Sequence, residues 1–219
     1  MNIHFFLRLL IIPTLVANAA AADLHIKVLT ADKNEPVMHA VIIANPAVPA
    51  HAPEQVHPKA VIDQIDKEFV PLVSVVRTGT AIQFPNSDNI RHHVYSFSPA
   101  KSFELPLYIG MPAKPVIFDK AGVVTLGCNI HDWMIAYVYV VDSPYTAITD
   151  KDGSANINNM PAGDYEVSVL HYEMEQDAKA ENIHITVNDD DKLELQSSIT
   201  LKPRIHPRRS PMRLNRGGY

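Results

Sequence analysis

The chain has one cysteine, Cys128, in 219 residues. No intramolecular disulfide can form, and in an oxidising compartment a lone thiol is a liability unless something protects it. Helical periodicity is almost absent, so the hydrophobic pattern points to an all-β fold rather than one with helical layers. No apolar run reaches the ~20 residues that a membrane-spanning helix requires. The formal net charge of −5 carries no basic surplus, and nothing in the pattern suggests nucleic-acid binding.

What is present begins with an export pattern. Arg8 precedes the apolar core Leu9-Leu10-Ile11-Ile12-Pro13-Thr14-Leu15-Val16, and small residues follow from Ala17 to Ala22. This reads as a signal peptide over residues 1–22, with several A-x-A cleavage sites. Cleavage leaves about 197 residues, enough for one large domain or two small ones. No cysteine near the cleavage sites offers a lipid attachment point, so no stable membrane insertion is expected after cleavage. At the other end, Lys202, Arg204, Arg208, Arg209, Arg213 and Arg216 alternate with Pro203, Pro207 and Pro211. That composition cannot build a core, and residues 203–219 read as a flexible basic tail.

Between these ends lie short β-like runs punctuated by Pro, Gly, Asn and Asp, the spacing expected of sandwiches. Residues 23–57 read as a hairpin, Leu24–Leu29 and Val37–Ala44, followed by a linker carrying Pro46, Pro49 and Pro53. Residues 58–143 hold further runs, including His92–Phe97, Gly122–Leu126 and the long apolar Ile135–Val141. Pro112–Phe118 and Gly122–Leu126 read as a hairpin-like pair. Residues 144–202 form a second β unit in which Asp150-Lys151-Asp152-Gly153 reads as a hairpin turn. It lacks the later ligands and closing Glu of a calcium loop.

The chemistry is concentrated at the end of the β-branched run Val123-Val124-Thr125-Leu126. There Gly127-Cys128-Asn129-Ile130-His131-Asp132-Trp133-Met134 gives C-x2-H-x2-M, and His92-His93 lies upstream. A thiolate, two imidazoles and a thioether form the donor set of a blue-copper electron-transfer site, with two His and one Cys in a plane and a weak axial Met. That set accommodates both Cu(I) and Cu(II) with little rearrangement. Coordination would also protect the lone thiol. Strand alternation sends His92 and His93 to opposite faces, His92 with Val94 and His93 with Tyr95 and Phe97. Alternation alone leaves open which of the two is the ligand. Trp133, the only tryptophan, fits an outer group controlling solvent access, a docking residue or simple packing.

These motifs, Phe84-x-Asn86-x-Asp88, His92-x-Val94 and Cys128-x2-His131-x2-Met134, resemble the cupredoxin family, the plastocyanin and amicyanin group. Residues 61–170 are similar to periplasmic proteins labelled methylamine-utilization or plastocyanin-like. The resemblance implies a Greek-key cupredoxin sandwich holding one type 1 copper ion through His92, Cys128, His131 and Met134. The family usually has Asn after its first His, where its side chain helps tie the ligand loops together; here that place is His93. Residues 144–202 resemble the carboxypeptidase-regulatory or transthyretin-like sandwich, through Thr149-Asp150-x-Asp152-Gly153 and Pro161-x-Gly163-x-Tyr165. Residues 28–44 look like the first hairpin of that second fold, which implies that the copper unit is inserted into it. Alternatively, residues 24–44 supply the first strands of the cupredoxin.

The function implied is a periplasmic, monomeric carrier of single electrons between redox proteins, such as a c-type cytochrome and a periplasmic dehydrogenase. The alternative is a copper-binding or delivery protein, for which exposed donors or a Met-rich tract would be expected. An enzyme is not expected, because a catalytic copper needs further histidines at set spacings. A dinuclear copper electron centre would need two cysteines.

Overall fold

The computed structural model describes residues 21–48, 59–175 and 182–203. The expected signal segment, most of the proline-rich linker and nearly all of the basic tail lie outside the described residues. Among those described there is no helix, and the architecture is all-β.

Two strands come first, β1 (Ala22–Thr30) and β2 (Val41–Pro46). Ten follow before residue 142: β3 (Lys59–Val61), β4 (Asp63–Ile65), β5 (Glu68–Val70), β6 (Val73–Arg77), β7 (Thr80–Gln83), β8 (His92–Ser98), β9 (Lys101–Tyr108), β10 (Val116–Phe118), β11 (Gly122–Gly127) and β12 (Ile135–Val141). The last five are β13 (Tyr145–Ile148), β14 (Ser154–Met160), β15 (Gly163–Leu170), β16 (Asn182–Val187) and β17 (Lys192–Ile199).

Pairing groups the first two strands with the last five. One sheet runs β14-β1-β17 and another β13-β2-β15-β16. Leu24, Ile26 and Val28 of β1 meet Ile42 and Ala44 of β2 and Val167 and Val169 of β15 in one buried core. The intervening strands build a separate sandwich from a five-stranded sheet, β6-β12-β11-β8-β9, and a three-stranded sheet, β10-β7-β3. Its core contains Ile82, Phe84, Phe118, Leu126 and Val138, and also Cys128 and Met134. Residues 24–44 therefore pair with the second unit and supply no strand to the sheets that surround Cys128.

The two longest apolar runs are explained by burial on both faces. In β12, Ala136, Val138 and Val140 face the core around Cys128. Tyr139 and Val141 face the other way, against Val41 and Ile43 of β2 and Val73 of β6. Similarly, β2 turns Ile42 and Ala44 into its own sandwich. A strand covered on both sides loses polar alternation. These two strands form the seam between the units, with Tyr137 stacked on Tyr172 at 4.5 Å and 7°.

Three expected hairpins are corrected. β1 and β2 enter different sheets, and only the segment between them turns back onto β1, through the isolated antiparallel bridge Leu29–Pro36. β10 pairs with β7, whereas β11 pairs with β12 and β8. The Asp150–Gly153 turn carries the chain from β13 in one sheet to β14 in the other. In each case the next strand joins the other sheet of the sandwich rather than pairing with the strand before it. The apolar faces of both strands are satisfied because the core lies between them.

Candidate metal centre

Cys128 follows the last residue of β11, and β12 starts at Ile135, so the motif occupies a seven-residue connection between paired strands. The His131 carbonyl accepts the Met134 N–H at 3.0 Å, closing a tight turn inside it. Leu126, Cys128 and Met134 share the buried core while His131 is half-buried. The connection thus turns a thiol and a thioether inward and keeps an imidazole near the surface.

The remaining donor comes from β8. His92 and Val94 are fully buried and pair with Tyr108 and Leu105 of β9, across a register shift that places the extra residue on β9. His92 Nδ1 lies 3.9 Å from Cys128 Sγ, and His131 Nδ1 lies 3.8 Å from the same sulfur. These three donor atoms lie within 4.8 Å of one another. The donor set fits a metal ion. An ion about 2.3 Å from sulfur and about 2.0 Å from nitrogen separates them by about 3.7 Å at 120° and by about 3.5 Å at a tetrahedral angle. The observed spacings are slightly longer than either value, so a small inward shift of the donors would let one ion contact all three.

His93 lies elsewhere. Its Nε2 pairs with Glu104 Oε1 at 2.8 Å, and its ring stacks toward Tyr95 at 5.6 Å on the outer face of β8. It neither joins the donors nor ties the loops. The segment before His92 is braced by Asn86, whose Nδ2 donates to the carbonyls of Ile90 and Tyr108 at 2.9 and 2.8 Å, while its Oδ1 accepts the Asp88 N–H. Asn86 thereby fixes the segment that leads into His92 against the end of β9.

The imidazole of His92 is held from behind. Its Nε2 lies 2.7 Å from Asp88 Oδ2. If Nε2 carries the proton, Nδ1 presents its lone pair to the sulfur side. Burial pushes the Asp88 carboxyl up. The Lys67 N–H, the His92 hydrogen bond, the Asp66 N–H and the His92 charge outweigh that and hold it below the ordinary aspartate range. Burial, then the His92 and Lys67 charges, lowers the His131 pKa, against an opposing pull from Asp88. A neutral imidazole is the form that can ligate. Beneath the site, Gln64 Nε2 donates to Tyr108 Oη at 2.5 Å, and Tyr108 donates to the Phe84 carbonyl at 2.6 Å. Burial pushes the Tyr108 hydroxyl up to about 12, so it stays protonated as a donor.

Asp88, Gln64 and Tyr108 carry parts of this environment that the motif reading did not assign. Asp88 was visible only as a member of the Asn86-x-Asp88 pattern. Its position four residues before His92 was the available signal. Gln64 and Tyr108 carry no sequence signal, because the strands that bring them to the site are distant in the chain. Trp133 packs against His131 with ring centroids 5.1 Å apart.

No protein-family model matches the chain, and no curated protein matches it. Solved cupredoxin structures resemble part of it. A purple cupredoxin from Nitrosopumilus maritimus is 22% identical with a TM-score of 0.33, covering 37% of this chain and 98% of its own. The reduced Cu(I) form of an amicyanin mutant is 20% identical with a TM-score of 0.35, covering 40% and 86%. A Sinorhizobium pseudoazurin is 17% identical with a TM-score of 0.31, covering 40% and 76%. The donor geometry of this chain stands independently of these low, partial overlaps.

Proposed function

We propose that the protein binds one copper ion through His92, Cys128, His131 and Met134 and passes single electrons between redox proteins. The observation that carries this reading is one buried thiol with two imidazole Nδ1 atoms at 3.8 and 3.9 Å and a buried methionine in the same core. Bound copper would supply a Cu(I)/Cu(II) couple. The chain supplies a preformed donor cage braced by strands, which limits rearrangement between the two states. Three of the donor residues, His92, Cys128 and Met134, are buried, which disfavours a role in handing the metal over and favours retaining it. Half-buried His131, next to exposed Ile130, gives the site an edge at the surface where a partner can approach.

The partners proposed are a c-type cytochrome and a periplasmic dehydrogenase, with the protein itself exported to the periplasm and acting as a carrier rather than an enzyme. The second sandwich, with its carboxypeptidase-regulatory-like pattern, is proposed as a structural or docking unit. The test is titration of the mature protein with Cu(II), followed by visible absorption and EPR. An intense blue band with narrow copper hyperfine splitting, lost in Cys128→Ser, is the expected result. A pale tetragonal spectrum indifferent to Cys128 would overturn the electron-carrier reading.

A further inference from the structure

We propose that the two-residue turn Asp66-Lys67, acting through Asp88 and Trp133, is a brace that positions both halves of the donor set and tunes its preference for the oxidised metal. This rests on the copper reading above and names the residues that would set its properties.

The turn joins β4 to β5, and both residues adopt left-handed backbone, with φ of 53° and 60°. Neither is glycine, so this conformation is unfavourable for each and persists because the surroundings fix it. In such a hairpin turn the two central N–H groups ordinarily face water. Here both point at one carboxylate: the Asp66 N–H donates to Asp88 Oδ1 at 2.8 Å and the Lys67 N–H to Asp88 Oδ2 at 2.9 Å. Asp88 Oδ2 also meets His92 Nε2. On its other side, the Lys67 carbonyl accepts the Trp133 Nε1–H at 3.0 Å. Trp133 sits between the donors His131 and Met134. One turn therefore contacts the segment that presents His92 and the segment that presents Cys128, His131 and Met134, which are about forty residues apart in sequence.

The consequence is electronic as well as geometric. A carboxylate bound to Nε2–H makes Nδ1 a stronger donor. That stabilises Cu(II) more than Cu(I), because the higher charge gains more from a richer donor. Glu104 provides an internal control, since it makes the same bond to His93, which lies outside the donor cluster.

The experiment measures Cu(II) and Cu(I) affinities by chelator competition, with EPR, for wild type, Asp88→Asn, Trp133→Phe and Glu104→Gln. Nitrogen NMR of the metal-free protein reports the His92 tautomer, and a thermal melt reports folding. Asp88→Asn is expected to weaken Cu(II) binding about 10–100-fold, the usual cost of losing such a support, with a smaller loss for Cu(I). Each tenfold difference between the two losses raises the potential by about 59 mV. Trp133→Phe is expected to broaden the EPR spectrum, and Glu104→Gln to match wild type. His92 in metal-free wild type is expected as the Nε2–H tautomer, becoming mixed in Asp88→Asn. A blue wild type whose Asp88→Asn variant keeps both affinities and the tautomer overturns the brace alone. A wild type without a blue band overturns the copper reading and the brace together.

Discussion

Gly127 lies directly under the ring of Tyr95. A Cβ at Gly127 would stand 2.8 Å from Tyr95 Cζ and 2.9 Å from its hydroxyl oxygen. The two residues are cross-strand partners of β11 and β8, and Gly127 is bonded to the donor Cys128. The ring has His93 at 5.6 Å and Phe97 at 5.2 Å beside it, so relief of the clash requires the ring to leave these contacts. Gly127→Ala is therefore expected to destabilise the protein by about 1–3 kcal/mol, the usual cost of overpacking. The double variant with Tyr95→Ala should recover much of that loss, which denaturant unfolding and a double-mutant cycle would reveal. Stability of Gly127→Ala within about 0.5 kcal/mol of wild type, the ordinary range of surface changes, would contradict the close contact.

The adjacent histidines should behave oppositely. His92→Ala removes a donor and is expected to abolish the blue band. His93→Ala removes a largely buried side chain, 11% exposed, whose partner Glu104 is mostly exposed. It should keep the band, while stability falls by about 0.5–3 kcal/mol, the common range for point substitutions. Visible titration of the two variants side by side checks this, and loss of the band in His93→Ala alone would reassign the donor.

The seam between the sandwiches should be breakable from one side. Tyr172 stacks on Tyr137 of β12 and on His171 at 4.1 Å. Tyr172→Ala is expected to lose about 0.5–1.5 kcal/mol from the aromatic pair beyond the area it exposes. In urea, the wild-type circular dichroism and copper-band transitions should coincide, and in the variant they should separate. Coincident, unshifted curves in the variant would show that this stack does not couple the units.

Acid sensitivity should follow Asp150. The Ser154 N–H lowers its pKa, against desolvation, and the Asp152 N–H adds to the lowering. A carboxyl depressed in the folded state contributes stability above its ordinary pKa of 3.8, and that contribution fades as pH falls toward the lower folded value. Asp150→Asn should therefore be less stable than wild type at neutral pH, with the gap closing below about pH 4. Melting temperatures across that range would show it. A gap that widens in acid would have the wrong sign.

The strands themselves were readable because period-two alternation needs only neighbouring residues. The pairings were not. Asp32–Glu35 and Asp150–Gly153 mark chain reversals correctly in position, but in both cases the strand that follows joins the other sheet, after a short antiparallel return of Pro36 and Val37 along β1 in the first case. Turn chemistry specifies local backbone angles and does not register which sheet the next strand joins. β9 was missed entirely: Pro106 and the exposed Leu107 obscure its alternation, and the pairing with β8 rescues it as a strand.

Cys128, His131 and Met134 were legible because they fall within one seven-residue connection and their spacing is local. His92 and His93 are adjacent; the family resemblance favoured His92, while alternation alone could not choose without knowing which face of β8 is the core. Val94 and Ser96 share the inward face with His92, while Phe97 is 79% exposed on the other.

Sequence by itself determined the all-β class, the position of the donor loop and the chemistry of its side chains, since alternation, turn residues and C-x2-H-x2-M are properties of neighbours along the chain. Tertiary structure alone decided which face of β8 turns inward and so brings the expected His92 to the thiol, that Asn86 holds the segment before His92 against the end of β9, and that a turn at Asp66-Lys67 supports residues more than twenty and sixty positions away. Those choices depend on which strands lie side by side, and that is settled by burying two cores and a seam at once rather than by any local preference.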